Sequence, residues 1–264
     1  MSQRIKKIFK NKNKKLVTFV TGGDPNKKTS NEILDSIIKH GADLIEIGMP
    51  FSDPMADGPT IQISSNRAIK SGTNLDTIFD IVKNLRKNNN DTPIILMGYY
   101  NVILHYGLDN FVKNCKLAGI DGLIIVDLQP EEDIELLNKL NKNKIDLIRL
   151  ITPNTTMERL KIIIKNASGF LYYVTITGVT GRQSANMNEL KKIIKNIKKY
   201  TNLPIVAGFG INNRKQVREI CQYTDGVVVG SSIVKIIEKN LTNKKNMISL
   251  INKFVKELKK GTFE

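Results

Sequence analysis

Short apolar runs rich in β-branched residues alternate with longer amphipathic stretches along all 264 residues, and that alternation leaves few folds open. Strand patterns fall at 16–21, 43–47, 93–97, 122–126, 146–151, 170–174, 204–207 and 226–229. Helical patterns separate them at 30–39, 75–87, 108–117, 131–139, 156–164, 187–199, 214–223 and 231–239, with a last one at about 245–259. The 30–39 stretch opens on Ser30 and stops before Gly41, a polar start and a glycine stop. Eight strand–helix units in about 250 residues predict a closed (β/α)8 TIM barrel. The competing architecture is an open doubly wound sheet, which normally has fewer strands and a glycine-rich first turn. Here Thr21-Gly22-Gly23-Asp24-Pro25 follows the first strand and lacks the G-x-G-x-x-G spacing. One domain over 1–264 is expected: a capping helix at about 1–14, the barrel at about 15–240, and a helix and tail at about 245–264. Extra length follows strands 2 and 6, at the barrel end where loops build active sites.

The second strand carries the chemistry. In Asp43-Leu44-Ile45-Glu46-Ile47-Gly48, Ile45 and Ile47 share one face while Leu44, Glu46 and Gly48 share the other. Glu46 is thus a carboxylate in a buried strand, where desolvation raises the pKa, and such groups are candidates for proton transfer. A buried acid paired with a basic or hydroxyl group is the structural alternative. The loop that follows, rich in Pro, Gly and Asp, brings a second acid, Asp57, near the same strand end. Asp57 has its own structural alternative, an Asx-turn before Gly58-Pro59.

Composition excludes other classes. Lys+Arg 41 against Asp+Glu 25 gives a formal charge of +16, which invites a nucleic-acid reading. The lysines are spread over every helical segment and interleaved with asparagine, with no Trp and few aromatics for base stacking. No nucleic-acid partner is expected. No apolar run approaches the roughly 20 residues that span a bilayer, so no membrane role is expected either. The basic start lacks a secretory apolar region, which points to the cytoplasm, or to a plastid stroma for a plastid-encoded chain. Cys115, Cys221, His40 and His105 have no metal-ligand spacing, and no metal is expected.

After strand 7 comes Gly208-Phe209-Gly210-Ile211-Asn212, and after strand 8 Gly230-Ser231-Ser232 opens a helix. Barrels often bind phosphate at these two loops, because glycines let amides approach an anion and a helix start offers free donors. Ser231 and Ser232 would add hydroxyls or cap the helix. With Gly181 in the loop after strand 6, these glycines suggest a small phosphorylated substrate.

The long segment from Leu44-Ile45-Glu46-Ile47-Gly48 through Asp57-Gly58-Pro59-Thr60-Ile61-Gln62 closely resembles the signature of the tryptophan synthase α-subunit family. The resemblance continues through Phe19-Val20-Thr21-Gly22-Gly23-Asp24-Pro25, Tyr99-Tyr100-Asn101, Gly178-Val179-Thr180-Gly181, Gly208-Phe209-Gly210-Ile211 and Val229-Gly230-Ser231-Ser232-Ile233-Val234, in the family's order. It implies retro-aldol cleavage of indole-3-glycerol phosphate to indole and glyceraldehyde 3-phosphate. Glu46 would be the general acid/base and Asp57 the second acid. Gly181, Gly210, Gly230 and Ser231 match phosphate-binding positions; Phe19, Met97, Ile124, Tyr172 and Thr180 match positions that line or close over the indole, although the aliphatic ones and Tyr172 also suit an ordinary core.

The resemblance further implies no cofactor in this chain and a β-subunit partner, carrying pyridoxal phosphate, in an α2β2 heterotetramer. An exposed stretch at 50–54, with Pro50, Asp53 and Pro54, and Asn101 resemble positions near that interface. Three residues depart from the family pattern: Gln129, expected to loosen the turn after strand 4, Gly98 and Ile176. Two other functions fit the same residues: a stand-alone lyase that releases free indole, and a dormant regulatory subunit.

Overall fold

The computed structural model describes residues 2–174, 183–208 and 210–263. Nine parallel strands form one sheet: β1 (Lys15–Thr21), β2 (Leu44–Gly48), β3 (Ile94–Gly98), β4 (Gly122–Ile125), β5 (Asp146–Leu147), β6 (Arg149–Ile151), β7 (Leu171–Val174), β8 (Ile205–Gly208) and β9 (Gly226–Val229). Their order, β5-β4-β3-β2-β1-β9-β8-β7-β6, begins and ends on two pieces of one stretch of chain. β5 pairs with β4 and β6 pairs with β7. The expected fifth strand at 146–151 is therefore interrupted at Ile148, and it is the seam at which a (β/α)8 TIM barrel nearly closes. Ile148 still donates its amide to Leu123, at 2.9 Å.

Alternation sorts the strand residues into two cores. Val17, Leu44, Ile95, Ile124, Ile148, Phe170, Tyr172, Val206 and Val228 pack in the lumen. Leu16, Ile45, Ile47, Ile94, Leu96, Leu123, Val227 and Val229 point outward, under the helices. The two-residue period of a strand requires this division.

Helices wrap the sheet: α1 (Gln3–Lys10), α2 (Lys27–Lys39), α3 (Pro59–Lys70), α4 (Leu75–Asn88), α5 (Tyr100–Tyr106), α6 (Leu108–Ala118), α7 (Ile134–Asn143), α8 (Met157–Lys165), α9 (Gln183–Ile197), α10 (Arg214–Cys221), α11 (Ser231–Lys239) and α12 (Lys244–Lys260). The asparagine bias has a structural use. Asn26, Asn74, Asn213 and Asn243 each cap a helix, accepting from the amide three residues on. α1 closes the floor of the barrel: Ile5 is fully buried among the lumen residues, and Phe9 meets Phe170 with ring centroids 5.6 Å apart.

Two helices were not anticipated. Much of the long connection after β2 is α3, whose Gly58–Pro59 start has no side-chain cap, and α5 follows β3 directly. The signal was weak because α3 mixes serine and β-branched isoleucine, while α5 is only 7 residues long. Its stability comes from packing instead. Ser64 shares a 2.5 Å hydrogen bond with Thr21 of β1, Ser65 exchanges bonds with the backbone of Phe51, and Arg67 grips Asp24.

Candidate active site

At the mouth of the lumen β2 presents Glu46. Its strand register sets it beside Phe19 of β1 and Ile95 of β3. The side chain is fully buried, and neither carboxylate oxygen has a hydrogen-bond partner among the described residues. Desolvation alone pushes its pKa from 4.5 to about 8. The group is therefore mostly a neutral acid at pH 7. The paired-acid alternative for Glu46 has no support among the described residues.

Asp57 hangs over the same opening from the loop that ends at α3. Tyr99, at the end of β3, donates its hydroxyl to Asp57 Oδ2 at 3.1 Å and accepts the amide of Ala56 at 2.9 Å. Phe51 packs against that ring in a tilted arrangement, with centroids 5.3 Å apart. Burial raises the Asp57 pKa, and the Tyr99 hydroxyl partly offsets the rise. The Asx-turn alternative is not what the side chain does: the bond it makes is to Tyr99, and its backbone oxygen accepts from Gln62. Both acids lie close enough to Tyr172 to disfavour its phenolate, on top of the larger effect of burial.

One cleft of about 970 Å³ joins these groups to the opposite rim. Phe19, Glu46, Asp57, Met97 and Tyr172 line it, and so do Gly210, Gly230 and Ser231. Gly210 sits at φ +62°, a left-handed conformation that glycine adopts freely. Gly230 sits tightly against β1, since a Cβ there would lie 3.1 Å from the Cβ of Phe19, which would have to give by a few tenths of an ångström. Ser232 ties the two loops together by donating to the carbonyl of Ile211 at 2.8 Å, and Ser231 stands at the open first turn of α11. The helix start has no side-chain cap; Ile233 and Val234 donate their amides to the Gly230 carbonyl, and the amides of Ser231 and Ser232 have no hydrogen-bond partner among the described residues.

This shape recurs in known proteins. The family model for the tryptophan synthase alpha chain matches residues 5–263. The chain is 46% identical over 256 residues to the tryptophan synthase alpha chain of Petrotoga mobilis, covering 97% of this chain and 98% of that one. It is 43% identical over 264 residues to that of Geobacter sp. strain M21, covering 100% and 98%. The chain belongs to the tryptophan synthase alpha chain family. Among solved structures, the alpha subunit from Legionella pneumophila str. Paris superposes with a TM-score of 0.92 at 34% identity, over 100% of this chain and 99% of that one. A chain of the Mycobacterium tuberculosis tryptophan synthase in its aminoacrylate-bound form gives a TM-score of 0.87 at 27% identity, over 98% and 99%.

Not every expected site residue of the family pattern reaches the cleft. Ile124 pairs in register with Met97 but is fully buried among the lumen residues and does not line the opening. Thr180, Gly181 and the departure at Ile176 lie outside the described residues. In the loop after β2, Asp53 is exposed and Pro50 half-buried, but Pro54 is buried against Tyr99 and Met49 around a small cavity. The expectation of an exposed 50–54 stretch is corrected there: the loop folds back because Phe51 and Pro54 find apolar neighbours. Asn101 is exposed on α5.

Gln129 is tied to a neighbouring helix by its side chain. Its side-chain oxygen accepts from Arg159 of α8, which also pairs with Glu131. At Gly98 the space beside the backbone is taken by Met49, whose Cε would lie 2.8 Å from an added Cβ. Tyr99 as the partner of Asp57 was missed, as were Lys235 and Lys239 along the cleft. Tyr99 had a weak signal, an aromatic at a strand's C-terminal end; the lysines were lost among many others.

Proposed function

We propose that Glu46 and Asp57 carry the cleavage of indole-3-glycerol phosphate to indole and glyceraldehyde 3-phosphate, the reaction of this lyase family. The carrying observation is the fully buried Glu46, without a hydrogen-bond partner among the described residues, in the same cleft as a glycine-lined helix start. Neutral at pH 7, Glu46 delivers its proton to C3 of the indole ring, which becomes an iminium at nitrogen. Asp57 faces that developing charge and accepts from the ring N–H. The carboxylate left on Glu46 then takes the proton of the adjacent glycerol hydroxyl. The oxygen's electrons close the aldehyde, the carbon–carbon bond breaks, and its electrons return to the ring as neutral indole. Glu46 ends protonated, so no other acid or base is consumed.

The phosphate end reads the same way. Amides at Gly210, Gly230 and Ser231 bind the phosphate, with Gly181 added from the loop after β7. Phe19, Met97 and Tyr172 pack the indole, Ile124 backs that wall from its place beside Met97 on the next strand, and Thr180 closes over the ring. The indole passes to a β-subunit that carries pyridoxal phosphate, in an α2β2 complex working in the cytoplasm. Asp53 and Asn101 meet that partner directly, and Pro50 and Pro54 shape the loop that does so. An indole assay with indole-3-glycerol phosphate, with and without a β-subunit, tests the reading. Product formation that rises on adding the partner is expected; no indole under either condition overturns it.

A further inference from the structure

The cleft does not stop at Ser231. It runs on beside α11, past Lys235 and Lys239. We propose that Lys235, backed by Lys239, is a cationic extension of the anion site that selects and orients the doubly charged phosphate ester. This rests on the reading of the cleft as a site for a phosphorylated indole and adds a specificity residue to it.

Ser231, Lys235 and Lys239 are spaced at i, i+4 and i+8, so they form one stripe along the helix. Four residues advance about 6 Å along an α-helix, and side chains lean back toward its N-terminus. That lean puts the Lys235 side chain on the Ser231 side of its own Cα, with Lys239 one turn behind. Neither lysine forms an ion pair with a described residue, whereas Lys27, Lys244 and Lys259 do. The acid between them in sequence, Glu238, turns toward Arg67 on α3, 4.0 Å away, and leaves the stripe uncompensated.

An independent observation marks this cleft as a ligand site: Glu46, fully buried and with no hydrogen-bond partner among the described residues, lines it as well. The cleft thus has acids within and cations without. A substrate with an apolar ring at one end and a dianion at the other is favoured in one orientation only, ring toward Glu46. Free amides bind an anion of any charge, but a point cation adds discrimination in favour of the dianion.

The test is steady-state cleavage of indole-3-glycerol phosphate by the full chain with its β-subunit, comparing wild type, Lys235→Gln, Lys235→Arg, the Lys235→Gln/Lys239→Gln double variant and Lys87→Gln. Lys87 is an exposed lysine on α4, outside the cleft. Lys235→Gln is expected to raise KM about tenfold, the size of one charge-assisted bond, with kcat changed by less than about twofold. The double variant should go further, Lys235→Arg should recover most of the loss, and Lys87→Gln should match wild type. Inhibition by glycerol 3-phosphate should weaken in step with KM. An unchanged KM and inhibition constant in Lys235→Gln and the double variant, with wild type active, would overturn the proposal, as would an equal effect of Lys87→Gln. Failure of the wild-type chain to cleave the substrate would instead sink the reading beneath it.

Discussion

At the scale of single residues, Glu46 binds two measurable properties together. Its proton is held up to about pH 8 in the folded chain and leaves near the ordinary 4.5 when unfolded. Protonation therefore favours the fold most at low pH, and that contribution is lost as pH climbs from about 4.5 to 8. Glu46→Gln keeps the shape and removes the proton, so its urea-unfolding stability should lack this part of the pH slope and exceed wild type's near pH 8. The same substitution should lower kcat about 10²–10⁴-fold while substrate binding survives, as calorimetry would register. In the wild type kcat/KM should fall as pH rises through about 8, since the reaction begins from the acid. Tyr99→Phe tests the second carboxyl. The Tyr99 hydroxyl holds the Asp57 pKa down against burial, so its loss should move the acid limb of the kcat/KM profile to higher pH.

At the scale of elements, α3 sets where Asp57 stands, because the helix begins at the next two residues. Its grip on the barrel is the bidentate pair from Arg67 to Asp24, with both bonds at 2.8 Å and the Asp24 side chain fully buried. Burial raises the Asp24 pKa even so, which says that desolvation outweighs the attraction of the guanidinium. The pair is thus weak evidence of net stability but strong evidence of geometry. Arg67→Ala strands a buried carboxylate and should destabilise the chain by about 3–5 kcal/mol, read from chemical denaturation. The loss should shrink as pH falls and Asp24 takes a proton. α11 contributes differently. It starts without a side-chain cap and meets α3 at Glu238, so the Ser231 rim of the cleft and the Asp57 arm share one support.

At the scale of the whole molecule, the barrel divides labour between its ends. The floor is stability: α1 fills it with Ile5 and Phe9, and Ser2, Arg4 and Arg86 bind Asp121 and Asp146 beneath it. The mouth is chemistry, and it tolerates an unpaired acid that a packed core would reject. Ile5→Ala should cost about 2–5 kcal/mol of stability with little change in KM, because the cavity opens at the end away from the cleft. A thermal melt beside a substrate titration separates the two effects.

Much of this is legible in the sequence alone. Eight alternating strand patterns implied the barrel, and the pairing of Leu44 with Glu46 against Ile45 with Ile47 set which side of β2 faces inward. Both depend on local periodicity, which a linear sequence carries in full. The break at Ile148, the helix at Pro59–Lys70, the fold-back of Pro54 and the bond from Tyr99 to Asp57 were not readable, because each depends on groups far apart in the chain. So too with Lys235: its identity is one lysine among many, and only the cleft running past it singles it out. Periodicity chose the architecture, and packing at the barrel mouth decided which side chains could meet a substrate.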